Sequence, residues 1–105
     1  MRVFIDACVD PRVAALLEGY EVTTAFDVGW YALRDHVLLV RVQDQFDSFL
    51  TTDRGFEFQH NLSKLRFAII VVHVAKNKAE YYAPLVPRII DALDRTGPGE
   101  VAHVR

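Results

Sequence analysis

Cysteine is almost absent from this chain, since Cys8 is the only one among its 105 residues. A lone cysteine cannot form a disulfide within the chain, and it cannot supply the thiolate cluster of a structural zinc site. This usage is typical of proteins in a reducing compartment, so we expect a cytoplasmic protein.

Long apolar segments are also missing. The longest apolar run, residues 67–74, contains His73 and is far shorter than the roughly 20 residues that cross a bilayer. Near the first residue, Asp6 and Asp10 break the apolar character that a secretory signal peptide needs. We therefore expect a soluble protein that has no membrane partner.

Neither sign of charge dominates the chain. Its formal net charge is −2, from 12 basic and 14 acidic residues. Such a chain has no general positive field for holding a nucleic acid, so any contact with RNA must be local and sensitive to salt. It also lacks a glycine-rich phosphate loop, a GxSxG motif and a CxxC motif, which argues against the enzyme classes that those motifs mark.

The chain does have the alternation of strands and helices that is typical of an α/β protein. Its length and its hydrophobic content of 51% predict one domain, residues 1–105. Strands are predicted at residues 2–6, 21–24, 48–52, 67–74 and 100–104. Helices are predicted from Asp10-Pro11 to Gly19, from Asp35 to about Phe46, and from an Asn77/Glu80 capping box to Gly97. Pro84 and Pro87 disturb the last helix, so we expect a broken first turn or a start nearer Pro84. This spacing predicts a mainly parallel sheet with helices on both faces.

Two of the apolar strands end on an aspartate, Asp6 after VFI and Asp53 after SFLTT. In an open parallel sheet, ligands bind at the carboxyl ends of the strands. Two carboxylates that meet there repel each other unless a cation or a proton joins them, and Mg²⁺ is often held by one or two carboxylates. The pattern predicts a small acidic metal site, with capping of the next loop or helix as the competing role of each aspartate.

Other polar residues could complete this site. Asp35 can cap the second helix or reach the acidic site, and Glu57 lies four residues after Asp53. The remaining candidates could face a substrate phosphate, or could simply close a loop or lie on the solvated surface: Arg54, Gln59, His60, Asn61, Lys64 and Arg66.

The other reactive side chains are predicted to be structural. His73 lies in a predicted buried strand, where a satisfied core histidine is expected. His36 and His103 have no metal-ligand spacing to a partner. Cys8 has no histidine tied to it by a motif, so we expect it to be inert and not nucleophilic.

Three segments in order carry a more specific signal: FIDACVDPRVAALLEG, GWYALRDHVLL and FDSFLTTDRGFEFQHNLSKLRFAIIVV. Over nearly the whole chain, they resemble the small stand-alone PIN-like proteins, which are bacterial relatives of the VapC-type toxin ribonucleases. The most specific part is residues 46–62, where a strand ends in T-x-D and a Q-x-N-L run follows. The resemblance implies a three-layer α/β/α fold whose acidic side chains bind Mg²⁺ or Mn²⁺ and whose activity is RNA phosphodiester hydrolysis.

By position, the resemblance assigns the catalytic and metal-binding roles to three aspartates. Asp6 matches the first-strand aspartate, Asp53 the third-strand aspartate, and Asp35 the acidic position at the start of a helix. Gln59 and Asn61 match the polar run that follows. Together with the basic Arg54, these two residues are the predicted contacts to substrate.

Two positions depart from the pattern of many relatives. Ala7 follows the first aspartate, and Gly55 lies two residues after Asp53, where many relatives carry further acidic residues. The site would then hold three carboxylates, a number that Mg²⁺ accepts when it keeps several waters. The same departures favour weak metal binding or lost activity as the alternative.

These features predict a metal-dependent ribonuclease of PIN-like type, a candidate toxin component. Its expected partners are RNA, an antitoxin and a second copy of the chain. The alternative is a degenerate PIN-like domain that binds another protein and does not cut RNA. A third interpretation is a phospho-acceptor receiver domain, in which Asp53 would be the acceptor and Lys76 a loose match to the lysine that such domains need.

Overall fold

Five short strands form one parallel sheet in the order β2-β1-β3-β4-β5. The computed structural model describes all residues from 1 to 105. The strands are β1 (Arg2–Ile5), β2 (Glu21–Thr24), β3 (Ser48–Thr51), β4 (Ala68–Val72) and β5 (Val101–Val104). Every neighbouring pair is parallel, which confirms the predicted fold class and shows a wholly parallel sheet.

Continuous apolar strands occupy the middle of the sheet. All residues of β4, with the sequence AIIVV, are buried, as expected for a parallel strand that is covered on both faces. In the register of the sheet, Phe4 of β1 lies beside Phe49 of β3, and Phe49 lies beside Ile69 of β4. Residues of the same kind therefore line up across the strands on one face.

The alternation of side chains along the strands divides the core into two clusters, one on each face of the sheet. The cluster that we call the aromatic face is built mainly by Phe4, Phe46, Phe49, Phe56 and Phe67, with Trp30 packed against them. The cluster that we call the aliphatic face is built mainly by Val3, Ile5, Leu50, Ile70, Val72, Ile89 and Leu93.

Phe4 lies at the centre of the aromatic face. The centroid of its ring lies 5.2 Å from that of Phe46, 5.7 Å from that of Trp30 and 5.9 Å from that of Phe49. Each such pair contributes about 0.5–1.5 kcal/mol beyond the burial of its surface. These contacts hold β1 and β3 together just before their carboxyl ends.

Helices cover both faces, which confirms the three-layer α/β/α arrangement. The α-helices are α1 (Asp35–Gln45), α2 (Phe56–Gln59), α3 (Ala79–Tyr82) and α4 (Val86–Arg95), and 3₁₀ turns span Pro11–Leu16, Leu62–Lys64 and Ala83–Leu85. Helices α1 and α2 pack on the aromatic face, whereas α3, α4 and the first 3₁₀ turn pack on the aliphatic face. No helix is both long enough and apolar enough to cross a membrane.

Two of the predicted helix starts differ from the structure. The segment after Asp10 is a 3₁₀ helix and not an α-helix, although Asp10 does cap it by accepting a hydrogen bond from the backbone N–H of Arg12. Asp35 does not cap α1. It is the first residue of that helix, and Arg34 precedes it without a side-chain cap. A carboxylate in the first turn still interacts favourably with the helix dipole.

The predicted capping box of Asn77 and Glu80 is wrong. Lys78 precedes α3, and no side chain caps that helix. The side-chain oxygen of Asn77 instead accepts hydrogen bonds from the backbone N–H of Asp10 and from the hydroxyl of Tyr82. The spacing is compatible with a capping box, but a long-range contact with the start of the chain takes the same oxygen.

The predicted interruption at the prolines is confirmed. Helix α3 ends at Tyr82, a 3₁₀ turn follows, and α4 begins at Val86 with Pro87 in its first turn. Proline is tolerated there because the first N–H groups of a helix have no intrahelical acceptor.

The order of the strands fixes where a ligand site is expected. From β1 the chain adds β2 on one side, and from β2 it crosses back past β1 to add β3, β4 and β5 on the other side. In doubly wound sheets of this order, the crevice between the carboxyl ends of β1 and β3 is the switch point at which ligands bind.

Candidate active site

A row of polar side chains runs along the carboxyl edge of the sheet on its aromatic face. Phe4, Phe49, Val71 and Val101 all belong to the aromatic face, and side chains two residues later along an extended chain point the same way. Those later residues are Asp6, Thr51, His73 and His103, and together with Asp53, which lies in the turn directly after β3, we call them the edge row. They come from β1, β3, β4 and β5 in spatial order.

The hydroxyl of Thr51 links the carboxylate of Asp6 to the backbone of Asp53. Thr51 Oγ1 donates a hydrogen bond to Asp6 Oδ2 at 2.9 Å and accepts one from the backbone N–H of Asp53 at 3.1 Å. The backbone N–H of Asp6 continues the sheet ladder by donating to the carbonyl of Leu50 at 3.0 Å. Since Thr51 is fully buried, its hydroxyl fixes the relative placement of the two aspartates.

Asp6 has further donors on its carboxylate. The backbone N–H of Ala7 donates to Oδ1 at 2.8 Å, and the thiol of Cys8 donates to Oδ2 at 3.3 Å. The residue Cys8 as a whole is exposed, but its sulfur lies between Asp6 and Thr51. Loss of hydration there, together with the negative charge of Asp6, raises the pKa of the thiol. Cys8 is thus a protonated donor at neutral pH, in agreement with its predicted lack of nucleophilic character.

Asp53 keeps one oxygen open. Its Oδ1 accepts from the backbone N–H of Gly55 at 3.0 Å, and Gly55, not Asp53, precedes α2. Its Oδ2 has no partner in the protein and is not buried. Asp53 therefore closes a local turn with one oxygen and presents the other to solvent.

Gly55 fits closely into this turn. A Cβ atom there would lie 3.3 Å from Gln59 Nε2 and 3.5 Å from Asp53 Oδ1. An acidic side chain at this position, as many relatives have, would require Gln59 to move. The space around residue 55 therefore suits glycine better than the acidic residue that many relatives have there.

Asp35 is paired with a histidine. Its Oδ2 lies 3.5 Å from His60 Nε2, and the His60 ring packs on Phe56 with 4.5 Å between ring centroids. His60 Nε2 is buried without a well-formed hydrogen bond. The pair joins the start of α1 to the end of α2, and Asp35 forms no hydrogen bond with Asp6, Thr51 or Asp53.

No three His, Cys, Asp or Glu side chains are arranged so that they could hold a metal ion. Asp6, Asp35 and Asp53 thus do not form a three-ligand group. Two of them nevertheless fit the chemistry of Mg²⁺ or Mn²⁺, because such an ion often keeps several waters and takes only one or two carboxylates. The oxygens available to such an ion are Asp53 Oδ2, which accepts no hydrogen bond, and Asp6 Oδ1, which accepts only one.

The predicted substrate-facing residues are only partly assembled. Arg54 is exposed directly beside Asp53, and Gln59 is exposed at the end of α2. Asn61 uses its side-chain oxygen to accept from the backbone N–H and the hydroxyl of Ser63, so it caps the 3₁₀ turn that follows. Arg66 forms an ion pair with Asp44 at 3.5 Å, which directs it toward α1.

Three residues form a hydrogen-bonded chain that the sequence did not reveal. His73 Nε2 lies 2.8 Å from His103 Nδ1, and His103 Nε2 lies 2.5 Å from Glu57 Oε1. We call this group the His–His–Glu chain. The prediction that His73 is a core histidine is wrong, because its ring lies beyond the end of β4, is partly exposed and bonds to β5.

The electrostatic surroundings of His73 disfavour its charged form. Loss of hydration lowers the pKa of its imidazole, and charge repulsion from Arg54, from Arg105 and, when it is protonated, from His103 lowers it further. Its Nδ1 has no partner in the protein and is not buried. His73 is therefore neutral at neutral pH, with one ring nitrogen in reach of solvent.

One signal in the sequence could have found this chain. Val71-x-His73 and Val101-x-His103 each place a histidine two residues after a valine in a predicted strand. Had these strands been recognised as adjacent and parallel, the period of two would have put both rings on one face. That β4 and β5 are neighbours depends on the topology of the sheet and cannot be predicted from the sequence of either strand alone.

Comparison with known proteins identifies no family, because no family model, curated protein or solved structure matches this chain. The PIN-like resemblance thus stays a prediction from the motifs.

Proposed function

We propose that this protein is a metal-dependent ribonuclease of PIN-like type that hydrolyses RNA phosphodiesters at the edge row. One observation carries the proposal. At the β1/β3 switch point, the hydroxyl of Thr51 donates to the carboxylate of Asp6 and accepts from the backbone N–H of Asp53, whose Oδ2 has no partner in the protein. Two carboxylates at this place in a parallel sheet are suited to a divalent cation and a phosphate ligand.

Each residue of the site has a distinct role in this proposal. Asp6 and Asp53 would hold Mg²⁺ or Mn²⁺, which when bound supplies Lewis-acid chemistry to a phosphate oxygen and a water. Thr51 keeps Asp6 in one orientation through its 2.9 Å hydrogen bond. Arg54, exposed beside Asp53, supplies a local positive charge for the phosphate, which the chain as a whole does not provide.

The first test is Mn²⁺ binding measured by calorimetry, followed by cleavage of an unstructured RNA. We expect Asp6→Asn and Asp53→Asn each to lose metal binding and to lower cleavage more than about 100-fold, beyond the effect typical of residues that only support a metal ligand. The matched control is Asp44→Asn, because Asp44 is an exposed aspartate of α1 in the ion pair with Arg66. It should bind Mn²⁺ and cleave RNA like the wild type.

The results can contradict this function in two ways. Cleavage that persists in both Asp6→Asn and Asp53→Asn would show that these two aspartates are not the catalytic site. Absence of both Mn²⁺ binding and cleavage in the folded wild type would show that the protein is not a metal-dependent ribonuclease.

The second candidate is a degenerate PIN-like domain that binds a protein partner, either an antitoxin-like protein or a second copy of the chain. The observation in its favour is that Asp35 is engaged with His60, so no third carboxylate joins Asp6 and Asp53. This function predicts a wild type that binds no Mn²⁺ at millimolar concentration. It also predicts a stable complex whose mass can be measured by light scattering after co-purification.

The strand order also bears on the receiver-domain interpretation. Receiver domains share the order 2-1-3-4-5, and Asp53 follows the third strand here. The position directly after β5 is Arg105, whereas Lys76 lies in the loop after β4. Incubation with acetyl phosphate tests this interpretation, since a mass increase of one phosphoryl group that is absent in Asp53→Asn would support it.

A further inference from the structure

The hydrogen bonds of the His–His–Glu chain determine where its protons lie. The carboxylate of Glu57 can only accept, so Nε2 of His103 is the donor in that 2.5 Å contact. In a neutral His103, Nδ1 is then an acceptor, and Nε2 of His73 must donate across the 2.8 Å contact. The Nδ1 of His73 is left with a free lone pair.

This nitrogen lies on the strand end beside the one that leads into the proposed metal site. Thr51 of β3 pairs with Val71 of β4 in the sheet register, and Asp53 and His73 each follow that pair by two residues. The backbone N–H of His73 donates to the carbonyl of Val104 at 2.8 Å, which keeps the residue in the ladder. The open nitrogen of His73 and the open oxygen of Asp53 are thus on neighbouring strand ends.

We propose that His73 is the general base of this site, and that His103 and Glu57 are positioning residues that hold its Nδ1 ready to accept a proton. The inference rests on the proposed function, since its substrate is the RNA phosphodiester. In the step, an attacking water gives a proton to Nδ1 of His73 while its oxygen forms a bond to phosphorus. The bond from phosphorus to the leaving ribose oxygen breaks, and that oxygen takes a proton from His73 or from solvent.

Charged groups on α2, after β3 and on or after β5 face this chain. The carboxylate of Glu57 on α2 accepts from Nε2 of His103 at one end of the chain. Arg54 after β3, Arg105 after β5 and His103 on β5 disfavour a positive charge on His73. The balance keeps the pKa of His73 below its ordinary value, so the base is unprotonated and ready at neutral pH.

The first experiment needs no substrate and reads the histidine tautomers by long-range ¹⁵N–¹H NMR. We expect His73 to be the Nε2–H tautomer in the wild type. Its titration midpoint should move to lower pH in Glu57→Gln, which removes a favourable negative charge, and to higher pH in Arg105→Gln, which removes an opposing positive charge. An Nδ1–H tautomer, or an even mixture of the two, would overturn the proposed placement of the protons.

The second experiment uses His73→Gln, whose amide can still donate to His103 but cannot accept a proton at neutral pH. We expect its kcat to fall by about 10²- to 10⁴-fold, the usual range for loss of a general base, with Mn²⁺ binding unchanged. The matched control is His36→Gln, a histidine exposed on α1, which should retain the wild-type rate. In Glu57→Gln, the acid limb of the pH–kcat profile should move to lower pH, a shift that a purely structural role would not cause.

The outcomes separate this inference from the proposed function. If Asp6→Asn abolishes cleavage while His73→Gln cleaves at the wild-type rate, His73 is not the base and the ribonuclease assignment stands. If the wild type neither binds Mn²⁺ nor cleaves RNA, the assignment and the catalytic role of His73 both fail. A His73→Gln variant with lower kcat and the melting temperature of the wild type supports the inference.

Discussion

The carboxyl edge of the sheet carries a polar cluster on each face, and the two clusters are built differently. On the aliphatic face, Asp10 accepts from the side chain and backbone of Arg12 and, at 2.8 Å, from the backbone N–H of Ala79. Asn77 accepts from the backbone N–H of Asp10 at 2.8 Å and from the hydroxyl of Tyr82 at 2.6 Å. Each carboxylate oxygen of Asp10 has at least two donors.

On the aromatic face, the edge row leaves polar atoms open. Asp53 Oδ2 and His73 Nδ1 have no partner in the protein, and both reach solvent. Thr51 Oγ1 accepts from the backbone N–H of Asp53, and His103, which is itself bonded to Glu57, bonds to Nε2 of His73. These contacts leave the other side-chain atom of each residue uncovered.

The difference separates structural from chemical roles. A polar group whose donors and acceptors are all used inside the protein stabilises the fold, because breaking any bond leaves a buried partner unsatisfied. A side chain that has one polar atom hydrogen-bonded to the protein and another exposed to solvent is oriented and free to bind a ligand. By this criterion the polar cluster around Asp10 and Asn77 has a structural role, because it connects the first 3₁₀ turn to α3. The edge row is the candidate for function.

The same substitution made once on each face should give opposite results. In Asp10→Asn, the new amide donor faces the backbone N–H of Ala79 and the guanidinium of Arg12, so we expect a larger loss of melting temperature than any edge-row substitution causes, with Mn²⁺ binding intact below the transition. In Asp53→Asn, the side-chain oxygen can still accept from Gly55, so stability should stay within about 0.5 kcal/mol of the wild type while Mn²⁺ binding is lost.

Thermal unfolding and calorimetry on both variants measure this exchange. Equal losses of stability in the two proteins would mean that Asp53 is as structural as Asp10, and the distinction between the faces would be lost.

Thr51→Val should weaken the hydrogen bonding within the edge row without opening a cavity. Valine keeps the buried volume but removes the hydroxyl that joins Asp6 to the backbone of Asp53. We expect a loss of about 1–3 kcal/mol in the free energy of unfolding and a roughly 10- to 100-fold weaker affinity for Mn²⁺, as is typical when a residue that orients a metal ligand is removed.

Thr51→Ser is the control for this change because it keeps the hydroxyl and removes one methyl group. Its Mn²⁺ affinity should remain close to that of the wild type. Similar weakening in the serine and valine variants would assign the effect to packing and not to the hydrogen bond.

The α/β class was predictable because it depends on local patterns. The AIIVV run of β4 and the aspartates after β1 and β3 are visible in single segments, and Pro84 before α4 and Pro87 in its first turn mark its start. These signals require no knowledge of which strands are neighbours. The pairing of Asp6 with Asp53 followed from the general behaviour of parallel strand ends.

The rest depended on contacts between distant segments. His73 and His103 are 30 residues apart and Glu57 is 46 residues from His103, so neither spacing nor composition marks them as partners. Local spacing predicts a capping box for Asn77, whereas its actual partner Asp10 is 67 residues away. The sequence thus predicts which face of a strand a side chain occupies, but not which other strand stands beside it.

The pH dependence of stability should report the aliphatic face. The hydrogen bonds from Arg12 hold the pKa of Asp10 well below its ordinary value of 3.8. A carboxylate with a depressed pKa stabilises the fold fully above its unfolded-state pKa, and this contribution is lost as the pH falls toward the folded-state value. Between about pH 5 and pH 2, the melting temperature of the wild type should therefore fall more steeply than that of Asp10→Asn. Parallel curves would show that Asp10 is not the group that matters.

The smallest change on the aliphatic face is Tyr82→Phe. It removes one hydroxyl from a fully buried ring and leaves Asn77 with the backbone N–H of Asp10 as its donor, so we expect a loss of about 1 kcal/mol in urea unfolding. Burial, followed by nearby negative charge, raises the pKa of Tyr82 to about 12 from 10.0. A raised pKa of this kind contributes stability below the unfolded-state value that is lost as the pH rises through the folded-state value.

Above pH 10 the wild type should therefore lose stability more steeply than Tyr82→Phe. Tyr20, whose pKa the hydrogen bond to Asp94 also raises to about 12, is present in both proteins and cancels in the comparison. The aromatic-face variant His73→Gln should follow the wild-type curve, since His73 is neutral throughout this range. If His73→Gln and Tyr82→Phe flattened the alkaline limb equally, the two polar clusters would be one coupled network and not two independent ones.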